Sequence, residues 1–310
     1  MGCIPVLLMA NHAFFETNPT PVLLLVYLVC HFVFNTLDNV DGLHARRLQM
    51  CSTLGEFLDH SLDPVSNLVE ITMVLHAAGV GKSGDFFICG VFLLVAAGGY
   101  FFFTRKLTHT SVYFSDLDST EFQLSGVIII LVTVFTQSRY WDMVVFTNDY
   151  TRPITVRHLM LIIGTLPIIK SVYFQMSSQL RVSLKKTWKP YFNFYLASAL
   201  TFYFFHVSPT EHYLRILILM GAAICKMTSQ VVFVTITCSS HCYTELDSSM
   251  LGPLFYLLHI LWYGPSMDVY PLQMATWYTL ANFVFYNTLV VVNLSKFLNV
   301  PIFAITNKYN

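Results

Sequence analysis

The sequence predicts an all-α protein, a polytopic integral membrane helical bundle with about nine full transmembrane helices plus a truncated first helix. Of its 310 residues, 55% are hydrophobic and only 11% are charged. A soluble domain contains about 25% charged residues. The mean hydropathy is +0.60, and apolar runs recur along the whole chain. Since no linker, repeat or low-complexity tract separates these runs, residues 1–310 are predicted to form one membrane domain.

Each predicted span is an apolar stretch of about 20 residues, the length that crosses a bilayer. The apolar run at 3–9 is too short to cross and lacks the basic leader of a signal peptide, so we expect it to be the remnant of a further helix. The first full span, at 20–44, runs directly into a group of aspartates. The later spans are expected at about 56–80, 85–104, 121–137, 156–176, 190–207, 213–236, 249–264 and 272–297.

Lys and Arg residues are distributed unequally between the two ends of these spans. Ten lie on the side that carries the aspartates and five on the opposite side, and an excess of basic residues marks the cytosolic side of a membrane protein. The aspartates are therefore predicted to face the cytosol. The ten are Arg46, Arg47, Arg105, Lys106, Arg181, Lys185, Lys186, Lys189, Lys296 and Lys308, and the five are Lys82, Arg139, Arg152, Arg157 and Arg215.

Several polar features have more than one interpretation. The formal net charge is zero, which argues against nucleic acid as a partner. Cys238 and Cys242 flank His241 but lack a second ligand pair, so small packing residues are favoured over a zinc site. Lys170 and Lys226 lie in apolar stretches, where each either extends to the interface or pairs with an acid. Lys226 is the better functional candidate, because its helix is predicted to end on the aspartate side.

Four aspartates with small residues and an arginine follow the first span at fixed spacings. On helices, the first two aspartates share one face and the last two share another. Two helices joined by a short turn would point all four carboxylates at one place, where cations such as Mg²⁺, Mn²⁺ or Ca²⁺ would hold them. This predicts a two-metal site. The run is Asp38-x2-Asp41-Gly42-x2-Ala45-Arg46-x8-Gly55-x3-Asp59-x3-Asp63.

The alternative is a set of helix-end acids held in salt bridges. Arg46 and Arg47 cannot neutralise four carboxylates together with Glu56. The metal site is therefore the favoured interpretation.

These spacings match the signature of the CDP-alcohol phosphotransferases at every fixed position, so the chain resembles that family. The resemblance implies a membrane enzyme that moves a substituted phosphate from a CDP-alcohol to an acceptor hydroxyl and releases CMP. It implies two divalent ions, Mg²⁺ or Mn²⁺, and a set of residues that contact the nucleotide. The implied metal ligands are Asp38, Asp41, Asp59 and Asp63, and the implied substrate-binding residues are Gly42, Ala45, Arg46 and Gly55.

The sequence between the fixed positions is similar to the choline and ethanolamine phosphotransferase branch, which carries Gly-Glu-x-x-Asp-His at this point. Here Glu56 and His60 lie on one helical face with Asp59 and Asp63. A neutral histidine suits a general base, so His60 is predicted to deprotonate a lipid hydroxyl with Glu56 orienting it or sharing the proton. A histidine satisfied by a neighbouring carboxylate is the alternative. Weaker similarities follow in order at Ser119-Thr120-Glu121-x-Gln123, Asp247-Ser248, Gly252-Pro253 and Phe297-Leu298-Asn299-Val300.

The resemblance implies transfer of phosphocholine or phosphoethanolamine from CDP-choline or CDP-ethanolamine to diacylglycerol. The expected location is the endoplasmic reticulum or Golgi membrane, and related enzymes are often homodimers. Another acceptor, such as inositol or a ceramide, stays open as an alternative, although Glu56 and His60 argue against inositol. A non-catalytic truncated relative or a transporter is the alternative outside the enzyme class.

Two departures from the family pattern carry further expectations. The Pro-Asn-x-x-Thr type of opening is absent, so the chain is expected to start partway into the family's first helix. Pro64 stands where the branch commonly has serine, and proline inside a helix removes a backbone hydrogen bond. A kink just after the last predicted ligand is therefore expected.

Overall fold

The computed structural model describes residues 19–80, 119–137, 139–148, 151–164, 166, 173, 184–237, 246–265 and 268–302, which are mostly helical. The predicted span at 85–104, the run at 3–9, Lys170 and the cysteines around His241 lie outside the described residues. A helical stretch at 156–164 and short 3-10 turns at Thr210–His212 and Ser248–Met250 accompany seven longer helices. These are α1 Pro21–Arg47, α2 Thr53–Ala77, α3 Ser119–Thr136, α4 Leu184–Val207, α5 Tyr213–Thr237, α6 Leu251–Tyr263 and α7 Tyr270–Leu298.

The turn between α1 and α2 is built from strong local signals. Three basic residues end α1, where they complement the negative end of the helix dipole. Gln49 then takes a left-handed φ of 56°, which reverses the chain. Ser52 caps α2 by accepting a hydrogen bond from the Gly55 N–H at 3.1 Å. The two helices that carry the aspartates are therefore joined by only a few residues.

Helix α5 lies at the centre of the described bundle and packs against α2, α4 and α7. Its apolar window is 89% buried inside the protein, whereas that of α1 is only 17% buried. Within the described residues, these two helices are long and apolar enough to cross a membrane. Helices α2 and α5 run antiparallel, since Phe57 stacks edge-on against Phe233 while Gly221 lies against Leu68.

A short antiparallel hairpin, β1 Val144–Asn148 and β2 Thr151–Thr155, departs from the all-α prediction. Valine, isoleucine and threonine favour extended backbone, but the hairpin lies between two apolar spans and was predicted only as a connection. Arg157 fixes its end by donating from Nε to the Ala78 carbonyl at 2.7 Å and by pairing with Asp142. Because Ala78 follows the last turn of α2, the hairpin lies at the end of the bundle opposite the aspartates.

Pro64 lies inside α2, and the helix is continuous from Thr53 to Ala77. A proline nitrogen has no hydrogen, so Pro64 cannot donate the usual helical hydrogen bond to the carbonyl of His60, four residues earlier. The carbonyl concerned belongs to His60, the residue that the sequence predicts to be a base.

Candidate metal centre

Three of the four motif aspartates meet where α1 ends and α2 begins. One carboxylate oxygen from each of Asp38, Asp41 and Asp59 lies within 4.8 Å of the others. Asp41 is exposed, and the other two are half-buried. Like charges this close repel unless a cation lies between them. An all-carboxylate donor set is the one that hard divalent cations prefer, so these residues fit a metal such as Mg²⁺ or Mn²⁺.

Asp63, the fourth predicted ligand, lies one turn along α2 and faces His60. The His60 Nδ1 is 3.5 Å from Asp63 Oδ2 and 4.0 Å from Asp59 Oδ2. The imidazole is one quarter exposed, so it touches both the carboxylates and the open side of the cluster. The His60–Asp63 contact is expected if the histidine is only satisfied by an acid. The same contact would also hold a general base beside a metal centre, so the role of His60 as a base stays a prediction.

The basic side chain of the motif lies over its glycine. A Cβ added to Gly42 would lie 3.4 Å from an Nη of Arg46, so the guanidinium occupies the space that a larger side chain would take. Gly42 and Ala45 are half-buried, and Arg46 is exposed. A guanidinium offers several donors in a fixed plane, and here it lies against Gly42, the residue that follows Asp41.

Gly55 and Glu56 open α2, and both are exposed. The atom nearest to a Cβ added at Gly55 is the Ser52 hydroxyl, at 3.3 Å. The geometry thus places Gly55 in the helix cap. Glu56 lies in the first turn, where the helix dipole favours a carboxylate, and it is one turn before His60 on the same face.

Lys226 is paired with Asp247 inside the bundle. The Lys226 Nζ donates to Asp247 Oδ2 at 2.6 Å and lies 4.8 Å from the centre of the Tyr286 ring. The other carboxylate oxygen accepts from the N–H and the hydroxyl of Ser249, at 2.9 and 2.7 Å. Asn193 accepts from the Asp247 N–H at 2.9 Å. These contacts join α4, α5, α7 and the turn before α6. Of the two alternatives that the sequence left open for Lys226, the structure shows pairing with an acid.

Two further polar pairs, which the sequence reasoning missed, join α1 to α2 deeper in the bundle. The Tyr27 hydroxyl lies 2.9 Å from His76 Nδ1, and His31 Nδ1 lies 3.3 Å from Glu70 Oε1. All four side chains are buried. The available signal was the presence of His31, Glu70 and His76 in otherwise apolar runs, where ionisable residues are rare.

Comparisons with known proteins identify the family of the chain. The sequence model of the CDP-alcohol phosphatidyltransferase family matches residues 1–227. Human cholinephosphotransferase 1 is 27% identical over 302 residues, covering 89% of this chain and 70% of that protein. The zebrafish (Danio rerio) cholinephosphotransferase 1 is 27% identical over 292 residues, covering 89% and 74%. The choline/ethanolaminephosphotransferase 1 of Saccharomyces cerevisiae is 27% identical over 147 residues, covering 47% and 36%.

The family match spans well over half of the chain and includes both helices that carry the aspartates. The chain therefore belongs to the CDP-alcohol phosphatidyltransferase family of membrane enzymes.

Proposed function

We propose that the protein transfers phosphocholine or phosphoethanolamine from CDP-choline or CDP-ethanolamine to diacylglycerol, which forms phosphatidylcholine or phosphatidylethanolamine and releases CMP. Phosphotransfer from a CDP-alcohol follows from the family. The head group and the acceptor are the proposal. The observation that carries it is His60 beside the carboxylate cluster, in a chain whose similarity to cholinephosphotransferases covers 89% of its length.

The donor is bound by the motif residues at the end of α1 and the start of α2. Asp38, Asp41 and Asp59 would hold a divalent cation, with Asp63 as the fourth ligand of a two-ion site. The bound metal would neutralise the negative pyrophosphate and stabilise the CMP leaving group. Arg46 supplies a guanidinium to phosphate oxygens, and Gly42 and Ala45 leave the backbone open to the nucleotide. Gly55 keeps the start of α2 free of bulk on the same side.

His60 is the proposed general base. When its Nδ1–H is donated to Asp63, the lone pair lies on Nε2, which is the tautomer that accepts a proton. The acceptor hydroxyl gives its proton to Nε2, and its oxygen forms a new bond to the β-phosphorus. The bond from that phosphorus to the bridging oxygen breaks, and CMP leaves with the electron pair. Glu56, one turn away, orients the imidazole or shares the proton.

The placement of the site suits one water-soluble substrate and one lipid. Asp41 and Arg46 are exposed at the end of α1, so the nucleotide reaches them from the aqueous side, which we place in the cytosol. The outer face of α1 carries exposed apolar side chains, including Val29 and Phe32 at 59% and 65% exposure. Diacylglycerol would approach along such a lipid-facing surface. We place the enzyme in the endoplasmic reticulum or Golgi, as a monomer or homodimer.

The test is CMP release by purified protein in detergent or vesicles. Turnover of CDP-choline or CDP-ethanolamine should require both diacylglycerol and Mg²⁺ or Mn²⁺, and His60→Ala should lower kcat at least 100-fold while metal-dependent nucleotide binding persists. His44→Ala is the matched control, because His44 is an exposed histidine in the last turn of α1, and the activity of this variant should stay within twofold of wild type.

Three results would count against the proposal. Turnover only with inositol or a ceramide would reassign the acceptor. Wild-type-like activity of His60→Ala would remove the base assignment. Metal-dependent nucleotide binding without turnover on any acceptor would point to a non-catalytic relative.

A further inference from the structure

Two polar pairs join α1 to α2 on the inner side of the metal centre. The His31 and Glu70 side chains are 1% and 8% exposed, and Tyr27 and His76 are also buried. Polar groups in an apolar environment are costly unless they are paired. Each of the two contacts forms only in one register of the two helices.

The His31–Glu70 pair lies in line with the aspartates on both helices. His31 is seven positions before Asp38 on α1, and Glu70 is seven positions after Asp63 on α2. Seven residues are close to two helical turns, or about 10 Å. The pair thus lies on the faces that carry the motif acids, about two turns further from the end of each helix.

Helix α1 has few buried side chains near its aspartates. Among its described side chains, only Leu24, Tyr27 and His31 are fully buried. His31 is the last of these before Asp38 and Asp41. The last buried anchor of α1 before these two carboxylates is therefore two turns away from them.

Helix α3 supports this anchor from the other side. A Cβ added to Gly126 would lie 3.3 Å from the His31 ring and 3.1 Å from a methyl group of Val74. The glycine lets α3 approach the ring closely, so His31 is enclosed by three helices.

We propose that His31 and Glu70 are positioning residues that set the register of α1 against α2, so that Asp38 and Asp41 meet Asp59. The inference deepens the proposed function and rests on it. Rotating α1 by one residue turns its faces by about 100°. That rotation would part the Nδ1 of His31 from the Oε1 of Glu70 and would move Asp38 out of the carboxylate cluster.

The test measures Mn²⁺ affinity directly, by the electron paramagnetic resonance signal of free Mn²⁺ titrated into purified protein. Glu70→Leu should weaken Mn²⁺ binding at least tenfold. Glu70→Gln keeps an oxygen at the same place, and its affinity should stay within threefold of wild type. The double variant His31→Leu/Glu70→Leu removes both partners, so it leaves no unpaired polar group to unfold the protein. It should still bind Mn²⁺ at least tenfold more weakly.

Tyr256→Phe is the matched control. The Tyr256 hydroxyl makes a buried contact of 3.3 Å with Ser208, and this contact involves neither α1 nor α2. Its Mn²⁺ affinity should stay within twofold of wild type.

The outcomes separate this inference from the proposed function. Wild-type protein that binds no Mn²⁺ would overturn the metal site itself. Tight binding by wild type and the double variant alike would overturn only the positioning role. Glu70→Gln as weak as Glu70→Leu would also overturn it, since charge rather than contact would then be responsible.

Discussion

At the scale of single residues, Asp41 lies in a cluster of like charges that we propose binds a cation. Its carboxylate is the most exposed of the three that lie within 4.8 Å of one another. Without a cation, two unit charges at about 4 Å repel by roughly 1 kcal/mol in water and by several times more near a protein surface. This repulsion should destabilise the metal-free protein, and a bound cation would reverse the cost.

The Asp41→Asn variant tests this balance. We expect its metal-free form, in EDTA, to melt at the same temperature as wild type or a few degrees higher, because one like charge is gone. Mg²⁺ should raise the melting temperature of wild type, since a ligand that binds only the folded state stabilises it. The same Mg²⁺ should leave Asp41→Asn nearly unchanged, as followed by thermal unfolding in detergent. An equal Mg²⁺ shift in both proteins would show that Asp41 is not a ligand.

At the scale of helices, two glycines lie where a neighbouring helix comes close. The neighbouring atoms are fixed at Gly252 and can move at Gly221. A Cβ on Gly252 in α6 would overlap the Thr279 hydroxyl and lie 2.7 Å from the Ala275 carbonyl oxygen. Thr279 is held in place by a hydrogen bond to that carbonyl at 2.9 Å. A Cβ on Gly221 in α5 would overlap only the tip of the Leu68 side chain, which has other rotamers.

Gly252→Ala should therefore destabilise the protein by about 1–3 kcal/mol, the usual cost of forcing extra volume into a packed contact. Gly221→Ala should be close to neutral, since the gain in helix propensity of up to about 1 kcal/mol offsets the movement of Leu68. Melting temperatures of the two purified variants measure the difference. A larger loss in Gly221→Ala than in Gly252→Ala would contradict this account of the α6–α7 contact.

Some of these helices and strands could be predicted from the sequence, and others could not. Long apolar runs predicted helices at 20–44 and 213–236, because length and hydropathy are local properties. Helices α1 and α5 cover these residues except Thr20, which caps α1. The hairpin at Val144–Thr155 escaped prediction, because its short β-branched segments stand between apolar spans and resemble a loop.

At the site, too, the sequence predicted contacts that are local in the chain and missed those that are not. The grouping of Asp38, Asp41 and Asp59 followed from motif spacing and one short turn. The pairing of His31 with Glu70 did not, because it depends on the register of α1 against α2, which no local pattern encodes.

Over the whole molecule, contacts at two depths fix which ends of the helices lie together. Phe57 and Phe233 meet near the start of α2 and the end of α5, on the side of the aspartates. At the other end, the ring of Tyr256 in α6 lies edge-on to the ring of Phe204, with 4.9 Å between the ring centres. The Tyr213 hydroxyl at the start of α5 donates to the Phe205 carbonyl at 3.0 Å. The turn between α6 and α7 therefore lies at the end of the bundle far from the metal centre.

This arrangement makes the membrane orientation measurable with two cysteines. Cys51 is exposed in the turn beside the aspartates, and Asp268 is exposed in the turn between α6 and α7. In a background without the other cysteines, a membrane-impermeant maleimide should label Cys51 in sealed microsomes. The Asp268→Cys variant, in which Cys51 is also replaced, should react with the maleimide only after the vesicles are permeabilised.

The excess of Lys and Arg on the motif side is the physical reason for this expectation, because basic segments are retained in the cytosol during insertion. Labelling in the reverse order would place the nucleotide site in the lumen, away from the side we expect to supply the CDP-alcohol. Labelling of both positions in sealed vesicles would mean that the two turns share one side, which would contradict the directions of α2 and α6, both of which run away from the aspartates. The labelling pattern therefore tests the assembled bundle and the access of its water-soluble substrate in one measurement.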